Sequence, residues 1–126
     1  YYVSVGVDMF DCVLPTRNAR HGTLFLWKKD PAEAVKEAFE LAQDGADDSR
    51  IAEALYQKIQ ITKETFGLDQ EVIDPYSDSP TSKTYTKAYL RHLFKTGELL
   101  AQRLATMQNL SFYMRLMKEL RANIEN

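Results

Sequence analysis

Two carboxylates, Asp8 and Asp11, flank Met9-Phe10 inside a short apolar run. Read as a strand, the run alternates its side chains between two faces, so positions three apart face opposite ways. The two acids therefore cannot serve as a paired acid and base at one site. Either could act alone. An Asp near a strand end commonly braces a turn, whereas a carboxylate at the C-terminal end of a parallel strand stands where α/β barrels keep reactive groups. The residues alone leave both readings open. The next residue, Cys12, is the only cysteine and reads as a buried structural thiol. The only histidines are His21, in a basic turn, and His92, on a helical face expected to be buried. With no second imidazole or thiolate near either, a histidine metal site is not expected. Residues 12–29 hold Arg17, Arg20, Lys28 and Lys29 and no acid, a local charge of +4 in a chain whose remainder is −6. Such an excess is most simply a solvated face; the sharper alternative is a loop that faces phosphates.

The elements that must carry these residues follow from pattern and punctuation. The chain has 126 residues, a formal charge of −2, 44% hydrophobic and 27% charged residues, which fits one soluble globular domain rather than a disordered segment. No apolar run is long enough to span a bilayer, and the N-terminal stretch lacks the basic start and cleavage site of a signal peptide. One cysteine excludes an internal disulfide framework and suits a reducing compartment. Residues 2–14 read as β-like, ended by Pro15. A turn at Arg20-His21-Gly22 leads to a strand at Thr23-Leu24-Phe25-Leu26-Trp27. Asp30-Pro31-Ala32-Glu33 is a helix start, with Val35, Ala38, Phe39 and Ala42 at helical spacing and Gly45 as its stop. A second helix holds Ile51, Ala52 and Leu55; its end is left open by the sequence, because Ile59 and Ile61 alternate as in a strand. Residues 69–82 read as loop. Two helices close the chain: one from Ser79-Pro80 or Ser82 through Leu104, with His92 on its apolar face, and one capped by Asn109 with Leu110, Tyr113, Met114, Met117, Leu120 and Ile124 as its stripe. No internal repeat and no domain linker is visible.

The run Gly6-Val7-Asp8-Met9-Phe10-Asp11-Cys12-Val13-Leu14-Pro15-Thr16-Arg17-Asn18-Ala19-Arg20-His21-Gly22 resembles the nucleophile motif of the tRNA-guanine transglycosylases (queuine tRNA-ribosyltransferases). Ala88-Tyr89-Leu90-Arg91-His92-Leu93, Gly97-Glu98-Leu99-Leu100 and the run from Asn109 to Met117 are similar to that family's C-terminal helices. The stretches 59–66 and 73–75 resemble the strand and loop that lead into its zinc subdomain. The resemblance covers about two-thirds of the chain, and its first motif is long and chemically specific.

The resemblance implies an α/β fold: the C-terminal fragment of a TIM (β/α)8 barrel plus a mostly helical end subdomain, predominantly α by content with a few short strands. Residues 1–29 would be the nucleophile strand and basic loop, 30–57 a helical insertion, and 58–126 the zinc-subdomain-like region with the C-terminal helices. It implies exchange of an anticodon guanine for a 7-deazaguanine base in tRNA, with Asp11 as covalent nucleophile and Arg17, Arg20, His21 and Lys28 on the RNA. The alternative is a non-catalytic partner subunit, or a tRNA-binding or dimerisation fragment. Partners would be the tRNA anticodon loop, the 7-deazaguanine base and a second copy, in the cytoplasm, with no membrane.

Three departures stand out. The family's Cys-x-Cys-x-x-Cys and later His fall on Ser77, Ser79, Ser82 and Gln108. Structural zinc takes thiolate or imidazole, so no zinc cofactor is expected. The spacing from Trp27 to Ile59 exceeds the family hairpin. Finally, a full barrel needs about 250 residues, and the crossover before the nucleophile strand is missing, so the expectation is a chain trimmed or spliced near Gly6 that does not turn over alone.

Overall fold

The computed structural model describes residues 2–125. In chain order these form α1 (Leu14–Arg20), β1 (Thr23–Trp27), α2 (Pro31–Gln43), α3 (Asp48–Leu55), β2 (Tyr56–Gln60), α4 (Pro80–Thr84), α5 (Lys87–Lys95) and α6 (Leu99–Glu125), with single 3-10 turns at Val3–Val5 and Glu64–Phe66. The fold is predominantly helical. Among the described residues the one sheet is a two-stranded antiparallel pair, β1 with β2, with Thr23 opposite Gln60 and Trp27 opposite Tyr56.

The expected β run at residues 2–14 is not found. Val3–Val5 is a 3-10 turn, Gly6 sits at φ +96°, and residues 7–13 are irregular. A strand needs a ladder partner for its amides and carbonyls, and the sheet offers none there. Pro15 does not end a strand; it stands in the first turn of α1, where its missing N–H costs nothing.

β1 organises the interior. Its side chains alternate between two cores, as period two requires. Leu24 and Leu26 pack with Ala19, Ile59, Ile61, Leu90, Leu93, Leu104 and Ala105. Phe25 and Trp27 face the other way and pack with Ala34, Val35 and Phe112. Trp27 and Phe112 have ring centroids 4.5 Å apart, and Phe25 and Phe112 stack at 5.8 Å. Both cores draw on residues from 1–29 and from 58–126, and the aromatic one also takes Ala34 and Val35 from α2. The 30–57 segment is thus packed against the hairpin and α6, and does not stand apart from them.

The two closing helices are divided differently from the sequence expectation. Tyr85 and Thr96 take non-helical or terminal positions, so α4, α5 and α6 are separate. The last helix then runs unbroken for 27 residues, about 40 Å at 1.5 Å per residue. Asn109 is no N-cap: it lies inside α6, fully buried. Its amide reaches sideways, Nδ2 donating to the carbonyls of Pro15 and Thr23 while Oδ1 accepts the Phe25 amide. The stripe α6 buries is Ala101, Leu104, Ala105, Gln108, Asn109 and Phe112, not the expected one; Leu110, Met114 and Ile124 are exposed. His92 and Cys12 are exposed too, against the expectation of burial. On α5 the buried pair is Leu90 and Leu93, which turns His92 outward. Cys12 lies in the irregular segment, where no sheet covers it.

Candidate functional site

α1 places the basic side chains. Pro15 and Ala19, one turn apart, are its buried positions, and Asn109 holds the Pro15 carbonyl at 3.0 Å. This fixes the helix's rotation, so Thr16, Arg17 and Arg20 are exposed. α1 ends at His21 and Gly22, whose φ of +81° permits the turn into β1. The His21 carbonyl accepts a bond from the Gln60 side chain, which ties the backbone of this corner to β2, and the residue is exposed. Lys28 is exposed after β1, at the far end of that strand from His21. Arg17, Arg20 and His21 are therefore neighbours along α1 and its cap, and Lys28 is separated from them by the length of β1.

Asp11 is exposed, three residues before α1, and forms no hydrogen bond or ion pair among the described residues. Asp8 sits elsewhere, in a groove with Val7 and the α6 residues Met114, Lys118 and Arg121. The two acids do not share a site. Cys12 Sγ accepts the Leu14 amide at 3.4 Å. Burial, then the nearby Cys12 and Tyr56, push the Tyr113 phenol above its usual value of 10.0.

A second groove was not legible in the sequence. Thr16 and Arg20 of α1 meet Leu99, Gln102, Arg103, Thr106 and Met107 of α6 across a shallow cleft. Arg103 escaped notice because nothing in the local pattern says which neighbour α6 turns it toward.

Ser77, Ser79, Ser82 and Gln108 come together in one buried cluster, each no more than 2% exposed. Asp74 is its hub. Asp74 Oδ2 accepts from the Trp27 amide and from Gln108 Nε2, and Oδ1 accepts from the Tyr76 amide. Gln108 Nε2 also donates to the Phe25 carbonyl at 2.8 Å. Ser77 Oγ accepts the Ser79 amide, and the Asp74 amide donates to the Ser82 carbonyl. Ser82 Oγ and Gln108 Oε1 are buried with no protein partner. Burial pushes the Asp74 carboxyl above its ordinary value of 3.8, against the opposing pull of the Trp27 and Tyr76 amides, Gln108 and Lys87. Three hydroxyls and an amide do not fit a structural zinc, which needs thiolate or imidazole donors. Among the described residues no three His, Cys, Asp or Glu side chains group as metal ligands.

The family model described as queuine tRNA-ribosyltransferase matches residues 1–126. The chain belongs to the queuine tRNA-ribosyltransferase family. The queuine tRNA-ribosyltransferase of Clostridium acetobutylicum is 40% identical over 123 residues, covering 98% of this chain and 25% of the relative. That of Haemophilus influenzae is 41% identical over 121 residues, covering 96% of this chain and 24% of the relative. The chain thus spans about a quarter of the length of these queuine tRNA-ribosyltransferases. No helix among the described residues is long and apolar enough to cross a membrane.

Proposed function

We propose that this chain is the C-terminal part of a tRNA-guanine transglycosylase. The longer protein would carry the other barrel strands and the base pocket, and would exchange an anticodon guanine for a 7-deazaguanine base. Family membership supports this, and one structural observation carries it to a residue. Asp11 is an exposed carboxylate without a partner among the described residues, three residues before a helix whose outer face is basic.

In this reading an Asp11 oxygen attacks the ribose C1′ as the bond from C1′ to guanine N9 breaks. The leaving guanine keeps the electron pair and takes up a proton. The transition state is oxocarbenium-like, which a carboxylate stabilises and then captures. N9 of the incoming base then displaces Asp11 from C1′ and gives up its proton, with net retention. The target base must leave its stack to react. Arg17, Arg20 and His21 hold the anticodon-loop backbone beside it, and Lys28 contacts RNA from the far end of β1. A second copy of the protein and the cytoplasm complete the setting. The test is exchange of labelled guanine into tRNA by the full-length protein: Asp11→Asn abolishes it, and the 126-residue chain alone shows none.

We also infer that the end subdomain is held without zinc. Gln108 ties α6 to β1 and to Asp74 through one amide, a neutral cross-link at the position where the resemblance puts a metal ligand. This departure favours one further reading, a non-catalytic tRNA-binding partner subunit in which Asp11 is present but unused. A covalent RNA adduct at Asp11 decides against it.

A further inference from the structure

The groove between α1 and α6 has a chemistry of its own. Its lining holds two guanidiniums, Arg20 and Arg103, the hydroxyls of Thr16 and Thr106 and the Gln102 amide, and no carboxylate. Both arginines are exposed, and neither takes part in an ion pair among the described residues. The groove beside Asp8 makes the contrast: there Lys118 and Arg121 are matched by Asp8 and Glu125. One cleft is uncompensated and the other is balanced.

We propose that the α1–α6 groove is an RNA phosphodiester site, with Arg20 and Arg103 as its two clamping residues. Guanidinium forks suit phosphate oxygens. The Thr16 and Thr106 hydroxyls and the Gln102 amide supply neutral hydrogen bonds to phosphate or ribose. Leu99, which is 82% exposed, and Met107 add apolar surface to the lining, against which a sugar or base face can rest. Arg17 and Arg20 lie on the outer face of α1, and Arg103 on α6 carries that basic surface across to the second helix. Two cations in a concave cleft suit one strand of backbone better than a lipid surface, which draws on larger basic clusters.

The site deepens the tRNA reading above and rests on it, but it needs no chemistry at Asp11. The test is binding of a labelled anticodon stem-loop RNA to the full-length protein across a salt series. Arg103→Gln and Arg20→Gln each weaken binding about three- to tenfold at low salt and flatten the plot of log affinity against log salt by about 0.7–0.9. Lys36→Gln, an exposed cation on α2 outside the groove, changes neither quantity. An Arg103→Gln chain that binds with wild-type affinity and slope overturns the groove and leaves the tRNA reading standing. So does a loss no larger than that of Lys36→Gln. A wild-type chain that binds no RNA, or that prefers anionic vesicles to the stem-loop, overturns the groove as well.

Discussion

Asn109 Oδ1 accepts the Phe25 amide at 3.1 Å, joining the middle of the longest helix to the middle of the central strand across 84 positions of sequence. Its Nδ2 donates at the same time to the Pro15 and Thr23 carbonyls, at 3.0 and 2.9 Å. One side chain thus sets the mutual position of α1, β1 and α6. Two of them, α1 and α6, present Arg20 and Arg103.

Asn109→Ala leaves three backbone groups without their partner, and an unmet buried polar group costs about 1–3 kcal/mol. The expected loss is about 3 kcal/mol in urea denaturation, with the slope little changed. A loss below about 1 kcal/mol would show that the strand's amides find other partners. RNA binding weakens in step, because α1 loses its anchor.

Gly22→Ala tests the turn that separates α1 from β1. The residue has φ +81°, and a Cβ there would stand 2.9 Å from Gln60 Nε2 and 3.3 Å from Ile61 and Thr62 side-chain atoms. Strain and the displaced glutamine together cost about 1–3 kcal/mol. Thermal unfolding reads the change directly.

These two positions show what was legible in the sequence. The turn, β1 and α2 follow from local signals: Gly22, an apolar run and an Asp-Pro start; the alternating isoleucines hint at β2 but leave open where α3 ends. Asn109 misled because a helix cap and a lateral tie use the same side chain. Only the neighbouring strand, far away in sequence, decides between them. The apolar run at 7–13 misled for a related reason, since a strand exists only where another strand pairs with it. His92 and Cys12 were judged by residue type, and exposure was decided by which neighbours α5 and the hairpin turned inward. Asp11, Arg17 and Arg20 are proposed as site residues on the motif alone; the groove position of Arg103 and the hub role of Asp74 required the packing.

Asp74 gives the fold a pH signature. Its carboxyl is raised above 3.8 by burial, so the folded state holds the proton more tightly than the unfolded state does. The stability this contributes is full below about pH 3.8 and is lost as pH rises through the higher folded value. Asp74→Asn keeps the volume but offers one acceptor oxygen where three donors need two, and costs about 1–3 kcal/mol. The stability margin of wild type over this variant shrinks from pH 4 toward neutrality. A margin that widens would reverse the sign assigned to Asp74.

Chelation tests the metal-free subdomain. After EDTA treatment and dialysis the midpoint of thermal unfolding stays within about 1 °C, because a metal that is not bound cannot stabilise by mass action. Residual zinc above about 0.1 per chain, or a fall in the midpoint on chelation, would contradict the metal-free cluster around Gln108.

The most direct measurement is of the covalent bond itself. Full-length protein is incubated with tRNA, denatured, digested and sequenced by mass spectrometry. A ribosyl-RNA adduct on Asp11, absent in Asp11→Asn, is the predicted result. Base exchange that continues in Asp11→Asn, or an adduct on any other residue, would contradict it.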